Sequence, residues 1–591
     1  MKRNLGFALT TAILMVAVLM AMAAAYFMLT QIELSTTRST TNQASGFYAA
    51  EAGLNLRAED IRATFVGYNR PTGTSPTTQN PCTGSNRGSG DFACKTYTIN
   101  GRAVRTYVLE HPGNPTHIRI PPGELYQNLS AQEYRYSVFS VAVGPNDQPE
   151  AILEMRFKSR LVPMFQFAAF YDKDLEILPG ATMSLEGPVH TNGDLYLDAI
   201  ARLDILGQVT TVGDLYHGRK DRPTCSRKPV QVYDASYSLR DLDRCNGRRH
   251  KFSDSDLTPW GANVKTHVNR LTVPSPDILD PQPGRLYWDK ADLRVALDLN
   301  GSTPKVKVYR PDKTVDVFAT SILTSICGAA GSSNTFYDNR EGKKIQMLEV
   351  DMQAMLDCIH GSSLITGVGL DDATQGGLVL YFTVLGPDSD RVNNYGVRVK
   401  NGAKLAASDG TPVRGLTVVT DQAVYIQGDF NANDKRPAAF LADSLNVLSN
   451  AWDTANAWGD SGDGKSTKGL HRRKASQTTI NAAFLAGTDN TGGADGASGQ
   501  DSSRYNGGLE NYPRLHENWS GVKLSYHGSF VSLGTPNHVD GPWVYGHNVY
   551  TAPRRDWHYD TDFNDAGKLP PLSPRFVYLR QELFEREFEQ H

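Results

Sequence analysis

Between Ala12 and Leu29 the chain runs for eighteen residues without a charge, and the cations Lys2 and Arg3 stand just before it. A run of that length is long enough to cross a bilayer as a helix, and the flanking cations place the N-terminus on the cytoplasmic side. The helical pattern does not stop where the apolar run ends. From Gln31 the sequence turns polar but continues without proline to Arg62, with Gly46 and Gly53 as weak interruptions. Ile32, Phe47, Ala50, Leu54 and Ile61 fall near one face at spacings of three, four and seven. One helix over residues 7–62 would be about 80 Å long at 1.5 Å per residue. Three fates fit this start. A secretory signal would be cut near Ala23 and Ala25, a plain anchor would stay whole, and a third reading cuts between Gly6 and Phe7. Only the third makes use of the polar extension.

At 591 residues the chain exceeds one hydrophobic core and is expected to form two or three domains. Its net charge of -3 predicts no polyanion partner from the whole surface, so any such partner must use a local patch. With 53 glycines and 31 prolines the composition is that of a β-rich, loop-rich extracellular protein. The six cysteines fall in sequence-local couples, Cys82 with Cys94, Cys225 with Cys245 and Cys327 with Cys358. An even count behind an export signal predicts three disulfides, and the lack of any CxxC argues against zinc.

The bulk announces its construction by repeating itself. "GPVHTNGDLYL" (187–197) recurs as "GQVTTVGDLYH" (207–217), twenty residues later, with seven of eleven positions identical, and "GLTVVTDQAVYIQGDF" (415–430) echoes it. Short strands with inward Val and Leu, separated by Gly-Asp turns at one period, predict the rungs of a β-solenoid, with glycine at the corners because it adopts positive φ freely. Residues 253–400 read differently. Strands are expected at "LYWDKADLRVALDL", "KVKVYRP" and "GGLVLYFTVLG", and a helix at "MLEVDMQAMLDCIHG" with Met352, Met355, Leu356 and Ile359 on one face. The fold class is therefore α+β, mostly β. The expected order is a leader (1–6), a transmembrane and stalk helix (7–62), a first head segment (63–165), a β-solenoid (166–550) interrupted by an α+β subdomain (about 253–400), and a C-terminal return to the head (551–591).

The N-terminal "MKRNLGFALTT" followed by "FYAAEAGLNLR" resembles the PilX-like minor pilins of type IV pili. The later "YNGGLENYPRLHENWSG" and the strand-rich middle resemble the large competence-associated pilins of the ComZ type in the Deinococcus–Thermus group. The resemblance implies that a prepilin peptidase cuts after Gly6 and methylates Phe7, and that the protein waits in the inner membrane before joining other minor and major pilins. It also implies a pilin body with an inserted solenoid. Major pilins carry a glutamate at the fifth residue after the cut, where this chain has Thr11. That carboxylate neutralises a neighbour's terminal ammonium inside an apolar bundle, so a subunit without it suits the filament tip. A head of over 500 residues suits the tip as well.

Catalytic chemistry is not indicated, and no enzyme activity or cofactor is expected. "GDSGDGKS" (459–466) satisfies the Walker A pattern, but its aspartates would repel phosphate and no apolar helix follows, so it reads as a surface loop. No GxSxG or HExxH occurs, and His538, Asp540 and His547 read as loop residues. Asp560, Asp562 and Asn564 have calcium-loop spacing without the turn glycine or closing glutamate of an EF-hand, so a surface turn is expected there, with calcium as the alternative.

Charge is more informative. Residues 218–251 hold ten Lys/Arg against four Asp, a local +6. Arg219, Lys220, Arg222, Arg227, Lys228, Arg244, Arg248, Arg249 and Lys251 are candidate phosphate contacts on a loop closed by Cys225–Cys245, with Tyr233 and Tyr237 inside it for exposed bases. Arg472, Arg473 and Lys474 form a second cluster. With the resemblance added, the expected function is a tip pilin that binds double-stranded DNA for natural transformation. The alternatives are a structural or adhesive tip subunit that primes pilus assembly, and a secretion pseudopilin, neither binding DNA.

Overall fold

The computed structural model describes residues 5–66, 71–144, 148–388, 390–452, 469–489, 491, 506, 508–543 and 549–587. The chain forms two compact units and passes between them four times. One comprises Met1–Thr116, Gln132–Arg160 and Leu579–His591; the other comprises His117–Ala131 and Leu161–Tyr578. The first head segment is thus shorter than the expected 63–165, and only the last residues of 551–591 return to it.

The first unit is built on a single helix, Leu5–Val66. Its apolar half is bare. Phe7, Leu14, Leu19, Phe27 and Ile32 are all more than half exposed, and by length and composition this stretch can cross a membrane. Ile32 therefore does not belong to the packed face. From Gly46 onward the helix lies on a sheet, burying Gly46, Ala49, Ala50, Gly53, Leu54, Ala58, Ile61 and Phe65. The two glycines are there for closeness. A β-carbon on Gly46 would overlap Glu150, and one on Gly53 would overlap Val104. Arg57, 1% exposed, donates from Nη2 to the carbonyls of Asp91 (2.6 Å) and Ala93 (2.8 Å), tying the helix to the loop closed by Cys82–Cys94. The sheet runs in the order Lys95–Ile99, Arg102–Glu110, Ser130–Val143, Pro149–Pro163, Arg575–Glu587.

The second unit opens with coils of three short strands. Ala169–Tyr171, Leu175–Ile177 and Met183–Leu185 make the first; Val189–Thr191, Leu195–Leu197 and Leu203–Ile205 the second; Val209–Thr211, Leu215–His217 and Val230–Tyr233 the third. Equivalent strands pair in parallel, so Val189 faces both Ala169 and Val209, Leu195 faces Leu175 and Leu215, and Leu203 faces Met183 and Val230. Like side chains stack on like. Leu175, Leu195 and Leu215 are fully buried, and the Tyr196 and Tyr216 rings lie parallel at 4.7 Å. The Gly-Asp corner of the repeat has a concrete task. Asp174 Oδ1 accepts from the Asp194 amide and Asp194 Oδ1 from the Asp214 amide, each at 2.8 Å, so every corner carboxylate holds the next coil.

Glycine at these corners differs from the sequence expectation. Gly187, Gly193, Gly207 and Gly213 are absent from the glycines with positive φ. They are needed for space, since a β-carbon on Gly207 would overlap the Gly187 carbonyl and one on Gly213 would overlap Asp194.

The three-strand coil is only half of the stack. Ala169–Tyr171 also pairs, on its other side and in parallel, with Phe530–Ser532. The resulting eleven-strand sheet continues through Ala483–Ala486, Ala438–Ala442, Leu416–Val419, Leu378–Leu385, Leu293–Asp298 and Lys305–Val308. The chain thus starts mid-sheet, coils outward to Val264–Lys265, crosses to the far end and coils back to where it began. A nine-strand sheet accompanies the return, from Ala330–Ser333 to Arg554–Tyr559. Residues 253–400, expected as an inserted subdomain, supply strands to both large sheets. Two local readings also change: Leu286–Lys290 is a short helix where a strand was expected, and Gln346–Asp351 is a strand where the helix was expected to begin. The helix itself, Met352–Gly361, is capped by Asp351 Oδ1 on the Ala354 amide (3.1 Å) and buries Met352, Met355, Leu356 and Ile359 as its spacing predicts. Disulfides join all three expected couples.

Gly207→Ala should cost about 1–3 kcal/mol, because the added methyl must push two coils apart. Gly180→Ala, with nothing within 4 Å of the new atom, should leave the melting temperature unchanged. Thermal denaturation of the two variants side by side checks this.

Candidate nucleic-acid interface

The basic stretch 218–251 begins as the third coil's Leu215–His217 strand ends. It does not leave the coil as a single projection. Val230–Tyr233 stacks on Leu203–Ile205 as the third coil's own strand, Leu239–Asp241 turns back antiparallel to it, and His250–Lys251 pairs antiparallel with Leu215–His217. What projects is the part around Cys225–Cys245, whose Cα atoms are 6.0 Å apart.

Most of the expected phosphate contacts are already spent on carboxylates. Arg219 forks onto Asp221 at 2.7 and 2.9 Å, and Arg222 reaches the same carboxylate at 3.5 Å. Lys220 Nζ sits 2.8 Å from Asp174, Arg244 3.4 Å from Asp256, and Lys251 2.6 Å from Asp214. Arg249 is half-buried, lies over the Tyr196 and Tyr216 rings at 5.5 and 5.2 Å, and donates to the carbonyl of Arg219 at 2.9 Å. It clamps the loop to the coil. Arg227 is exposed; its Nη2 donates to the Asn246 carbonyl at 2.6 Å and its amide to Cys245 Sγ at 3.1 Å. Lys228 and Arg248 are exposed, and among the described residues their side chains meet no carboxylate. The cationic surface is therefore a tip of three residues, Arg227, Lys228 and Arg248, set around the disulfide. The tyrosines lie elsewhere: Tyr237, 55% exposed, is in the turn between Val230–Tyr233 and Leu239–Asp241, at the hairpin end away from the disulfide, and Tyr233 is half-buried, with ring centres 6.2 Å apart edge to face.

The neutralising carboxylates Asp174, Asp214 and Asp256 lie outside 218–251, so counting charge along the chain misses them. Asp174 and Asp214 were findable, because both stand in the corner position of the twenty-residue repeat.

The second cluster also thins. Arg472 and Lys474 are exposed, but Arg473 is 2% exposed and donates to the carbonyls of His516 and Val549, so it braces the interior. Asp560 and Asp562 are engaged by Lys435 at 2.7 and 2.9 Å, Asp562 also by Lys568 at 2.9 Å, and Asn564 Oδ1 accepts from the Tyr559 hydroxyl at 3.0 Å. A cation there would have to displace Lys435. His538 is held by the Arg391 carbonyl (2.8 Å), while His547, the Walker-like 459–466 and Lys468 lie outside the described residues.

Beneath the basic loop sits a buried carboxylate. Glu176 Oε1 accepts from the Lys220 amide (2.9 Å) and Oε2 from the Thr491 hydroxyl (2.7 Å), and burial raises its pKa to about 7. Glu517, held by the Ser449 amide and hydroxyl at 2.6 Å each, is likewise raised by burial to about 7. A carboxyl whose folded pKa lies above its unfolded value of about 4.5 takes up a proton on folding. Its contribution to stability is present below pH 4.5 and is lost as the pH rises through 7. Glu176→Gln, a permanent mimic of the protonated form, should therefore gain stability relative to the wild type on going from pH 5 to pH 8, as read by urea melts at both values.

No protein-family profile matches this chain, and no curated protein does. Among solved structures it is similar to the competence-associated pilin ComZ from Thermus thermophilus, with a TM-score of 0.27 and 11% identity over 93% of this chain and 98% of that one.

Proposed function

We propose that this chain is a minor pilin, anchored in the inner membrane by its N-terminal helix until it is assembled at the tip of a type IV pilus, where its coiled head, a β-solenoid, captures extracellular DNA for uptake. The observation that supports it most is the helix Leu5–Val66, bare and apolar in its first half and the spine of a β-sheet in its second. A cleaved signal has no use for the packed half, and a simple anchor has no need to continue unbroken into the head. Thr11 carries no charge to offer a neighbour's ammonium, and a subunit with nothing above it needs none. Processing by a prepilin peptidase would free Phe7. Mass spectrometry of the mature protein should find an N-methylated Phe7 as its first residue, and an N-terminus at Tyr26 would overturn the pilin reading.

DNA capture would fall to the tip around Cys225–Cys245. The three exposed cations of the tip give a log–log salt slope of about -3, at roughly -0.9 per neutralised phosphate. Lys228→Glu with Arg248→Glu should flatten that slope and weaken all sequences alike, while Arg219→Glu should act chiefly on folding. Filter binding of duplex DNA across a salt series measures both. A structural or priming tip subunit is the second reading. It is favoured by the neutralisation of five of the nine candidate cations, and loss of pili with no measurable DNA binding would establish it.

A further inference from the structure

An Asn-Gly pair is where a chain most readily attacks its own side chain, because glycine leaves the following amide nitrogen unhindered. The sequence holds six such pairs, at Asn100, Asn192, Asn246, Asn300, Asn401 and Asn506. Asn100 and Gly101 are the two-residue turn between Lys95–Ile99 and Arg102–Glu110, and Asn401 lies inside the strand Tyr395–Lys404, so ladders fix both. Asn192 and Asn506 are buried, and the Asn192 amide is bonded to Asp172 and Leu271. Asn246 and Asn300 are left, both exposed and both outside strands and helices.

Their surroundings differ at the atoms that would react. Asn300 Nδ2 donates to Asp298 Oδ1 at 3.0 Å, so a carboxylate feeds electron density into the amide that has to leave. At Asn246 the polarity is reversed. Its Oδ1 accepts from the Arg248 amide at 3.2 Å, which draws electrons from Cγ and is placed to hold the charge that builds on this oxygen during attack. The nucleophile is prepared as well. The Gly247 N–H meets no acceptor among the described residues, and the Arg227 guanidinium stands so close to Gly247 that a β-carbon there would overlap Nη2. A cation against that peptide favours loss of its proton. Gly247 holds a φ of +99°, so another residue would take its place only under strain.

We propose that Asn246 is a site of self-modification that lowers the charge of the basic tip. The Gly247 nitrogen loses its proton to hydroxide and attacks Asn246 Cγ. The Cγ–Nδ2 bond then breaks, and Nδ2 takes a proton from water and leaves as ammonia, which regenerates hydroxide and closes a succinimide. One water opens the ring. Addition at Cγ gives aspartate, and addition at the main-chain carbonyl gives isoaspartate, in which the chain runs through Cγ. Either product sets a carboxylate beside Arg227 and Arg248 where a neutral amide stood. The reaction needs no partner but water. Its consequence for DNA rests on the function proposed above; the chemistry does not.

The full chain in detergent, incubated at mildly alkaline pH in heavy-oxygen water and mapped at intervals by peptide mass spectrometry, reads the reaction directly. Asn246 should take up heavy oxygen about tenfold faster than Asn300, the worth of one hydrogen bond to the developing oxyanion, and should yield aspartate and isoaspartate together. Asn246→Gln, whose longer side chain closes a ring far more slowly, should keep its amide over the same period. As conversion completes, the salt slope of duplex DNA binding should fall from about -3 to about -2, and Asn246→Gln should hold it at the starting value. Conversion in a chain that binds no DNA even when fresh would uphold the modification and overturn the DNA reading. The self-modification is overturned if Asn246 keeps its amide, or if it converts no faster than Asn300.

Discussion

The second unit depends on close parallel stacking between coils. Each coil must present to the next an unbroken ladder, an apolar interior of matched volume, and corners flat enough for backbone to lie on backbone. Gly207 on Gly187 meets the last requirement, and the aspartates at 174, 194 and 214 add a side-chain bond at each step. Buried parallel strands leave no amide to water, so any offset between coils would strand donors in an apolar interior.

The irregular surface lies where the stacking is relieved. The basic loop grows from the end of the third coil, where Leu215–His217 has no further parallel neighbour and pairs instead with the antiparallel His250–Lys251. A second irregularity lies where Arg554–Tyr559 abuts Met183–Leu185 without forming a ladder. Both are exceptions to the repeat. Inside the coils, polar groups are satisfied by their neighbours. His190, for example, is bonded by Thr210 and Asn192 and is kept neutral by burial, which lowers its pKa to about 4.

Charge behaves differently in sequence and in space. The stretch 218–251 is strongly basic along the chain, but Lys220 and Lys251 meet aspartates of the coil corners, Arg219 and Arg222 share Asp221, and Arg244 meets Asp256. Attraction across a partly buried contact at 2.6–2.9 Å outweighs what the same cation would gain at a screened surface. The exposed cations left over stand around the disulfide.

The sequence by itself determined what depends on near neighbours. An uncharged run with no proline after it makes one long helix, and a twenty-residue repeat makes stacked coils because each contact recurs at one fixed spacing. The cysteines pair with the partner nearest in the chain because short loops close at little entropic cost. The tertiary structure decided the rest. That the outward and returning halves meet at Ala169 and Phe530 is fixed by contacts such as Ser529 Oγ to the Phe167 carbonyl, 362 residues apart, and no local pattern encodes them. The extra strands from 253–400 and the burial of Arg473 are likewise set by contacts distant in the chain. A strand's neighbour, and so whether its cations face water or carboxylate, is chosen by the whole chain at once.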